Sequence, residues 1–97
     1  MNDLDTLLAE LRRLQPELRK RYPIRSMGVF GSYVRGEQRD DSDLDLLVDV
    51  DDSVTLIDLV RLERELSEAL GVTVDLVFKE GLRPRIGERI FAEVTAV

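Results

Sequence analysis

Two aspartates, Asp43 and Asp45, stand one residue apart at the start of the segment "SDLDLLVDV". Because side chains alternate across a β-strand, both carboxylates should face one side of a sheet while Leu44 faces the other. Two close carboxylates repel each other, and a divalent cation between them removes that repulsion. Magnesium suits such a site, since it takes oxygen ligands from one or two carboxylates and from substrate phosphates. The alternative is a solvated turn followed by an edge strand whose acids face water.

A Gly-Ser pair, Gly31 and Ser32, follows the apolar run "RSMGVF" and opens "SYVRGE", which is predicted to form a helical turn. Glycine lets the backbone approach a ligand, and free amides at a helix start bind phosphate oxygens with help from a serine hydroxyl. By itself, the pair also fits an ordinary turn. Close to the two acids, it indicates that a phosphate accompanies the metal.

A third acid, Asp75, interrupts the apolar segment "VTVDLVF", where Val74 and Leu76 flank it. It is either an exposed residue of a sheet with one wet face or a member of the same acidic patch. The second interpretation requires its strand to pair beside the strand that carries Asp43 and Asp45. In that case three carboxylates and a phosphate-binding loop form a two-metal site for phosphoryl transfer.

The composition excludes several kinds of chemistry. The 97 residues include no cysteine and no histidine, which rules out thiol chemistry, Ser-His-Asp triads and the usual zinc ligands. Acid and base roles therefore fall to aspartate and glutamate. A formal net charge of −6 argues against direct binding of duplex DNA, because that affinity depends on lysines and arginines that neutralise phosphates.

The sequence shows no signal for export or for a membrane. The segment "MNDLDTLLAE" is acidic where a secretion signal would be basic, and no apolar run approaches the ~18 residues of a membrane span. We therefore expect a cytoplasmic protein with no membrane-spanning segment.

The elements that must position these acids follow from the spacing of apolar residues. Leucines from Leu4 to Leu18 recur at three and four residues, which predicts a helix capped by Asn2 or Asp3. Pro16 is predicted to begin a second helical piece, because proline suits a first turn and breaks a helix interior.

Two further helices are predicted downstream. One begins at Ser53 as its cap and stops at Gly71, with leucines and a valine at helical spacing between them. Pro84 opens a last helix, which carries the apolar residues Ile86, Ile90 and Val94. The leucine stripes are interpreted as core, with a partner interface as the alternative.

Three apolar runs, "RSMGVF", "LDLLVDV" and "VTVDLVF", are predicted to be strands. Strands and helices then alternate along the chain, with no internal repeat and no low-complexity linker. This order predicts one α/β layered domain, and the length suits a single core.

The run "GSYVRG" at residues 31–36, followed by "SDLDL" at 42–46 and later by Asp75, resembles the nucleotidyltransferase signature of the DNA polymerase beta superfamily. It is most similar to the minimal nucleotidyltransferase (MNT) group, in which Gly-Ser-aromatic-Ala-Arg-Gly precedes Ser-Asp-hydrophobic-Asp. Val34 stands where the group usually has alanine. The resemblance spans essentially the whole chain. It implies a single domain over residues 1–97 with the nucleotidyltransferase fold, a small mixed β-sheet flanked by helices (α/β, α+β).

The resemblance also implies roles for individual residues. Asp43 and Asp45 would be metal ligands, and Asp75 would be the third acid, a metal ligand or a base near the acceptor hydroxyl. Gly31 and Ser32 would hold the nucleoside triphosphate. The implied cofactor is Mg²⁺, as two ions, and the implied substrate is ATP.

In such chemistry the protein contributes mainly positioning and electrostatics. A triphosphate enters an acidic site only as a metal complex, so one cation would orient its phosphates and another would activate an incoming hydroxyl. Arg35 and Arg39 lie near the loop. They are interpreted as surface ion-pair partners, with phosphate binding as the alternative, and are left out of the predicted site.

For the acceptor, the MNT resemblance implies an antitoxin that attaches AMP to a tyrosine of a partner RNase toxin of the HEPN type. The chain is too small for a separate acceptor-binding domain, which favours an acceptor delivered by another protein. Two alternatives stay open. One is a transferase that acts on a small hydroxylated molecule such as an aminoglycoside, and the other is a binding module whose acidic face covers a basic surface of the toxin.

Overall fold

A computed structural model describes residues 3–79, 90 and 92–97. Its elements are, in chain order, α1 (Leu4–Arg21), β1 (Ile24–Phe30), α2 (Ser32–Arg35), β2 (Leu44–Val50), α3 (Leu56–Leu70), β3 (Val74–Phe78) and β4 (Thr95–Ala96). The predicted mixed architecture of helices and strands is confirmed. None of the helices in these residues is both long enough and apolar enough to cross a bilayer.

Helix α1 begins at a side-chain cap and ends in a basic turn. The Asp3 carboxylate accepts a hydrogen bond from the Thr6 N–H at 2.8 Å, which satisfies one of the first free amides of the helix. The positive charges of the last turn suit the negative end of the helix dipole. The buried face of α1 consists of Leu7, Leu8, Leu11 and Leu18.

Pro16 lies inside α1, so the prediction that it begins a second helical piece is wrong. A proline in a helix interior removes one hydrogen bond and costs about 3 kcal/mol. Here the carbonyl left without its donor belongs to Arg12, an exposed residue, where water can bind it. On either side of the proline, Leu11 and Leu18 are 0% and 3% exposed. Burial of each such side chain stabilises the fold by about 1.5–3 kcal/mol, so packing outweighs the local break.

The four strands form one mixed sheet in the order β3-β2-β1-β4. Strand β1 is antiparallel to both β2 and β4, whereas β2 and β3 are parallel. Parallel neighbours need a crossover connection, and α3 supplies it. The boundaries of β2 are those predicted, while β1 begins one residue before "RSMGVF", at Ile24, and β3 begins two residues into "VTVDLVF", at Val74.

The core lies between one face of the sheet and the helices. Alternate residues of β2 point into it, and Leu44, Leu46 and Val48 are each 0% exposed. The same cluster includes leucines of α1 and α3, so the interpretation of both stripes as core is confirmed for their buried members. The N-terminal half of α3 is the exception, because it exposes Leu56, Ile57 and Val60.

Thr55, not Ser53, caps α3, so the predicted cap is wrong. Thr55 Oγ1 accepts from the Asp58 N–H at 3.2 Å, and Asp58 Oδ2 accepts from the Thr55 N–H at 3.0 Å. This capping box satisfies two amides at once, whereas the Ser53 N–H donates to Asp51 in the preceding turn. Gly71 ends the helix in the left-handed conformation, as predicted.

The C-terminal segment only partly matches the predicted last helix. Pro84 and Ile86 lie outside the described residues. Ile90 is helical and buried, and its carbonyl accepts a hydrogen bond from the Val94 N–H at 2.9 Å. Strand β4 follows immediately and pairs with β1. The sequence did not indicate β4, because two residues are too few to show the alternation of a strand.

Candidate active site

The three predicted acids lie at one end of the sheet. Asp43 directly precedes β2, Asp45 is the second residue of β2, and Asp75 is the second residue of β3. Asp45 and Asp75 are direct partners in the parallel register, so their side chains leave the same face of the sheet. The strand pairing on which Asp75 depended is therefore confirmed, while the roles of the three acids as metal ligands stay predictions.

The electrostatic environment of Asp45 differs from that of an ordinary surface acid. Burial raises the pKa of its carboxyl above the ordinary value, and the carboxylates of Asp75 and Asp43 raise it further. Arg35 lowers this pKa and Glu93 raises it, both with smaller effects. The ionised form of Asp45 is thus destabilised by its surroundings, which is the condition that a bound cation would relieve.

The donor chemistry fits a hard cation. All three predicted ligands are carboxylates, and carboxylate oxygens are what Mg²⁺ prefers in proteins. Across residues 3–79, 90 and 92–97, however, no three acidic side chains meet closely enough to form a complete cation cage. The fit therefore depends on the crowding at Asp45 and on oxygens that a phosphate would add.

Gly31 lies directly against Asp45. Its φ of 85° and ψ of −153° belong to a region that only glycine adopts readily. A Cβ at this position would lie 2.2 Å from Asp45 Oδ2, so any side chain would displace that carboxylate. Gly31 was assigned from the sequence to the approach of a phosphate. The structure shows a second reason for glycine here, which is the close approach of the loop to Asp45.

Glu93 joins this site from the C-terminal segment. The Gly31 N–H donates to Glu93 Oε2 at 2.5 Å, and Arg35 Nη1 donates to Glu93 Oε1 and Oε2 at 3.1 and 3.0 Å. Sequence reasoning missed Glu93, because 62 positions separate it from Gly31 and a single acid in "FAEVTAV" carries no motif. For Arg35, the interpretation as an ion-pair partner is confirmed, since it also contacts Glu37 at 3.1 Å.

The predicted helical turn after Gly31 is confirmed as α2, and Ser32 is its first residue. Ser32 is half-buried, and its carbonyl accepts from the Glu37 N–H at 2.9 Å, which closes the turn. Tyr33 anchors α2 in the core and is 4% exposed. Burial raises the pKa of the Tyr33 hydroxyl, and the carboxylates of Asp40 and Asp43 raise it further, so this side chain lies close to the acidic patch.

A short turn brings the chain from α2 to the acids. The Arg39 N–H donates to Ser42 Oγ at 2.7 Å, and the Ser42 N–H donates back to the Arg39 carbonyl at 3.0 Å. These two bonds hold the backbone immediately before Asp43. The contacts found for Arg39 are thus structural ones made by its backbone.

A cavity of about 410 Å³ lies at the opposite end of β2. Val48, Val50, Leu59 and Phe78 are among the residues that line it, and none of the five predicted site residues does so. Asp43 and Asp75 are exposed, whereas Asp45 is half-buried, so a large acceptor can reach two of the three acids.

Residues 11–97 match the family described as Nucleotidyltransferase domain. The chain is also 42% identical to the protein adenylyltransferase MntA of Thermococcus cleftensis over 97 residues, a match that covers 100% of this chain and 98% of that protein. Both matched ranges span the positions of the glycine loop and of the three acids.

Two solved structures have the same fold. One, a candidate minimal nucleotidyltransferase, is 43% identical with a TM-score of 0.85, and the match covers 99% of this chain and 97% of that chain. The other contains a tri-AMPylated HEPN toxin of Shewanella oneidensis in complex with MNT antitoxin. It is 22% identical with a TM-score of 0.70 and coverages of 93% and 70%, a likeness that shows the fold alone.

Proposed function

The chain belongs to the nucleotidyltransferase domain family, and from that premise we propose that it transfers AMP from Mg-ATP to a tyrosine hydroxyl of a partner HEPN-type RNase toxin. The modification silences the toxin, so the protein is its antitoxin. The observation that carries this proposal is the pairing of Asp45 with Asp75 directly beside the Gly31 loop.

Two relatives support the choice of donor and acceptor. The Thermococcus cleftensis protein is named a protein adenylyltransferase, and its length matches that of this chain. The Shewanella oneidensis complex pairs an MNT antitoxin with a toxin that carries AMP groups. A protein acceptor also agrees with the exposure of Asp43 and Asp75.

In the proposed mechanism, Asp43, Asp45 and Asp75 would hold Mg²⁺, as two ions. The chemistry that Mg²⁺ would supply there is neutralisation of phosphate charge and activation of the acceptor hydroxyl. Ser32 offers a hydroxyl to the triphosphate, and Gly31 allows the loop to approach it without a side chain in the way. The protein thus orients the reactants and neutralises their charge, which accounts for most catalysis in phosphoryl transfer.

Asp75 differs from Asp45 in its accessibility. It is exposed and belongs to β3, which lies at the edge of the sheet, so an acceptor on another protein can reach it. We assign it the role of third metal ligand or of base toward the acceptor hydroxyl. The product would be a phosphodiester between AMP and the tyrosine, with pyrophosphate as the leaving group.

Co-expression with a candidate HEPN toxin, followed by mass spectrometry of the toxin, tests this function. We expect one or more AMP additions on tyrosine with the wild type and none with Asp43→Asn. Modification of small hydroxylated compounds instead of protein would favour the small-molecule transferase. Protection of cells by an Asp43→Asn protein that leaves the toxin unmodified would show that binding alone neutralises it.

A further inference from the structure

Glu93 connects three parts of the candidate site. Its carboxylate accepts hydrogen bonds from the Gly31 N–H and from the Arg35 guanidinium, and its negative charge raises the pKa of Asp45. The Glu93 side chain is 27% exposed and that of Arg35 is 47% exposed. One side chain from the C-terminal segment therefore fixes both the backbone of the glycine loop and the guanidinium of Arg35 beside it.

We propose that Glu93 is a positioning residue for the nucleotide, an inference that rests on the proposed binding of Mg-ATP. Glu93 acts through its hydrogen bond to Gly31. Because the Gly31 backbone lies against the Asp45 carboxylate, the position of that backbone sets the distance between the loop and the acid. Glu93 thereby keeps the Gly31 loop, which is proposed to approach the phosphates, at a fixed distance from Asp45, which is proposed to bind the metal.

Glu37 shows what a simple counter-ion of Arg35 looks like. It contacts Arg35 Nε at 3.1 Å, close to the distances between Arg35 and Glu93. The Glu37 side chain is 64% exposed and binds the arginine from its own segment, two residues away. Only Glu93 also holds Gly31. A comparison of the two glutamates therefore distinguishes the effect of pairing with Arg35 from the effect of holding the glycine loop.

The contacts of Glu93 with Gly31 and Arg35 suit a role in positioning the loop better than a role in stabilising the fold. Ion pairs that water reaches contribute little to folding, because solvent screens them. A hydrogen bond to the backbone of a loop acts on geometry, and displacements of about 1 Å in a site reduce activity strongly. Glu93 Oε2 accepts from both Gly31 and Arg35, so a glutamine oxygen in that place could accept from both. The glutamine N–H₂ would then stand where Oε1 accepts from Arg35 Nη1, and both groups only donate.

The test compares Glu93→Gln with the matched control Glu37→Gln in the full chain. Isothermal calorimetry with Mg²⁺ and a non-hydrolysable ATP analogue gives Kd, and thermal unfolding gives Tm. For Glu93→Gln we expect Kd to rise about tenfold with a Tm within a few degrees of the wild type, because the charged hydrogen bond to the binding loop becomes a neutral one and the amide N–H₂ opposes Arg35. For Glu37→Gln we expect both values to stay close to those of the wild type.

Each other outcome overturns the inference. Unchanged or tighter binding by Glu93→Gln would show that Glu93 is indifferent to the nucleotide or competes with it. Equal losses in both variants would make Glu93 an ordinary counter-ion of Arg35. A Glu93→Gln protein that does not fold would assign the residue to the fold. If the wild type itself does not bind the analogue, the proposed function fails first, and the inference about Glu93 fails with it.

Discussion

The two ends of strand β2 carry the same Asp-x-Asp spacing in opposite electrostatic settings. At the C-terminal end, Asp49 and Asp51 both lie against Arg25, at 3.5 and 3.4 Å. At the N-terminal end, Asp43 and Asp45 lie beside Asp75. Within the described part of the chain, the arginine that lowers the pKa of Asp45 is Arg35, which already binds two glutamates.

Spacing alone therefore does not distinguish a structural pair of acids from a candidate metal site. Hydrogen bonds from Ser53 lower the pKa of Asp51, and Arg25 contributes to the same effect, so its charged form is stabilised by the protein. The pKa of Asp45 is raised by burial and by nearby carboxylates, so its charged form is disfavoured by the surroundings that the structure describes. The charges around the two acids, more than the Asp-x-Asp motif, therefore indicate where a cation belongs.

The greatest loss of activity is expected when an acid at the N-terminal end of β2 is removed, and removal of an acid at the C-terminal end is its control. Asp45→Asn should reduce AMP transfer by at least about 100-fold, the order lost when one preorganised electrostatic group is removed. Asp49→Asn is the matched control at the other end and should transfer AMP at close to the wild-type rate. Initial rates with saturating Mg-ATP check both variants. Equal losses would show that the two ends do not differ in function.

The same comparison predicts opposite effects of charge removal on stability. A raised pKa means that Asp45 favours the folded state when protonated and loses that contribution as pH rises through its folded pKa. Metal-free Asp45→Asn should therefore melt above the wild type at neutral pH, and the difference should vanish in acid. Asp51 has a lowered pKa, so Asp51→Asn should melt below the wild type at neutral pH. Thermal unfolding as a function of pH would contradict this if both variants shifted in one direction.

A smaller effect is expected when the glycine beside Asp45, Gly31, is replaced. Gly31 and Gly36 both have positive φ, 85° and 70°, but an added Cβ meets Asp45 only at Gly31, while nothing lies within 4 Å of it at Gly36. Gly36→Ala should cost about 1–2 kcal/mol of stability, the usual cost of the left-handed conformation. Gly31→Ala should cost more and should also weaken nucleotide binding. Urea unfolding measures the difference, and equal losses would mean that Asp45 moves aside freely.

The smallest effect is expected from Arg25→Gln, which removes the counter-charge of Asp49 and Asp51. Arg25 is half exposed and its contacts are long, so the loss should be about 0.2–1 kcal/mol. AMP transfer should not change, because the arginine lies at the other end of the sheet. A clear fall in transfer would indicate that the two ends are coupled through β2.

The elements that the sequence predicted well are those whose pattern is local. The alternation of Leu44, Asp45 and Leu46 indicated both the strand and the side on which the acids lie, and Gly71 marked the end of α3. Most of the predicted site residues could be grouped for the same reason, since Gly31, Ser32, Asp43 and Asp45 belong to short motifs. Asp75 joined it only through the pairing of β3 with β2, which spacing cannot show.

What the sequence did not reveal depends on contacts between distant segments. Pro16 is tolerated within α1 because buried leucines on both sides hold the helix against the core. Glu93 becomes a site residue only because β4 brings its segment beside β1. Thr55 is the exception among the missed features: its capping box with Asp58 is a local pattern that favours it over Ser53.

The long separation between Gly31 and Glu93 also has a consequence for the order of folding. The unit from β1 to β3 forms from neighbours in sequence, whereas the contact with Glu93 closes a loop of 62 positions. Longer closures cost more entropy and form later. The strands that carry the three acids can therefore pair before the contact with Glu93 forms. The contact between Glu93 and the glycine loop then forms later, so the folding chain brings its acids together before the loop beside them is held.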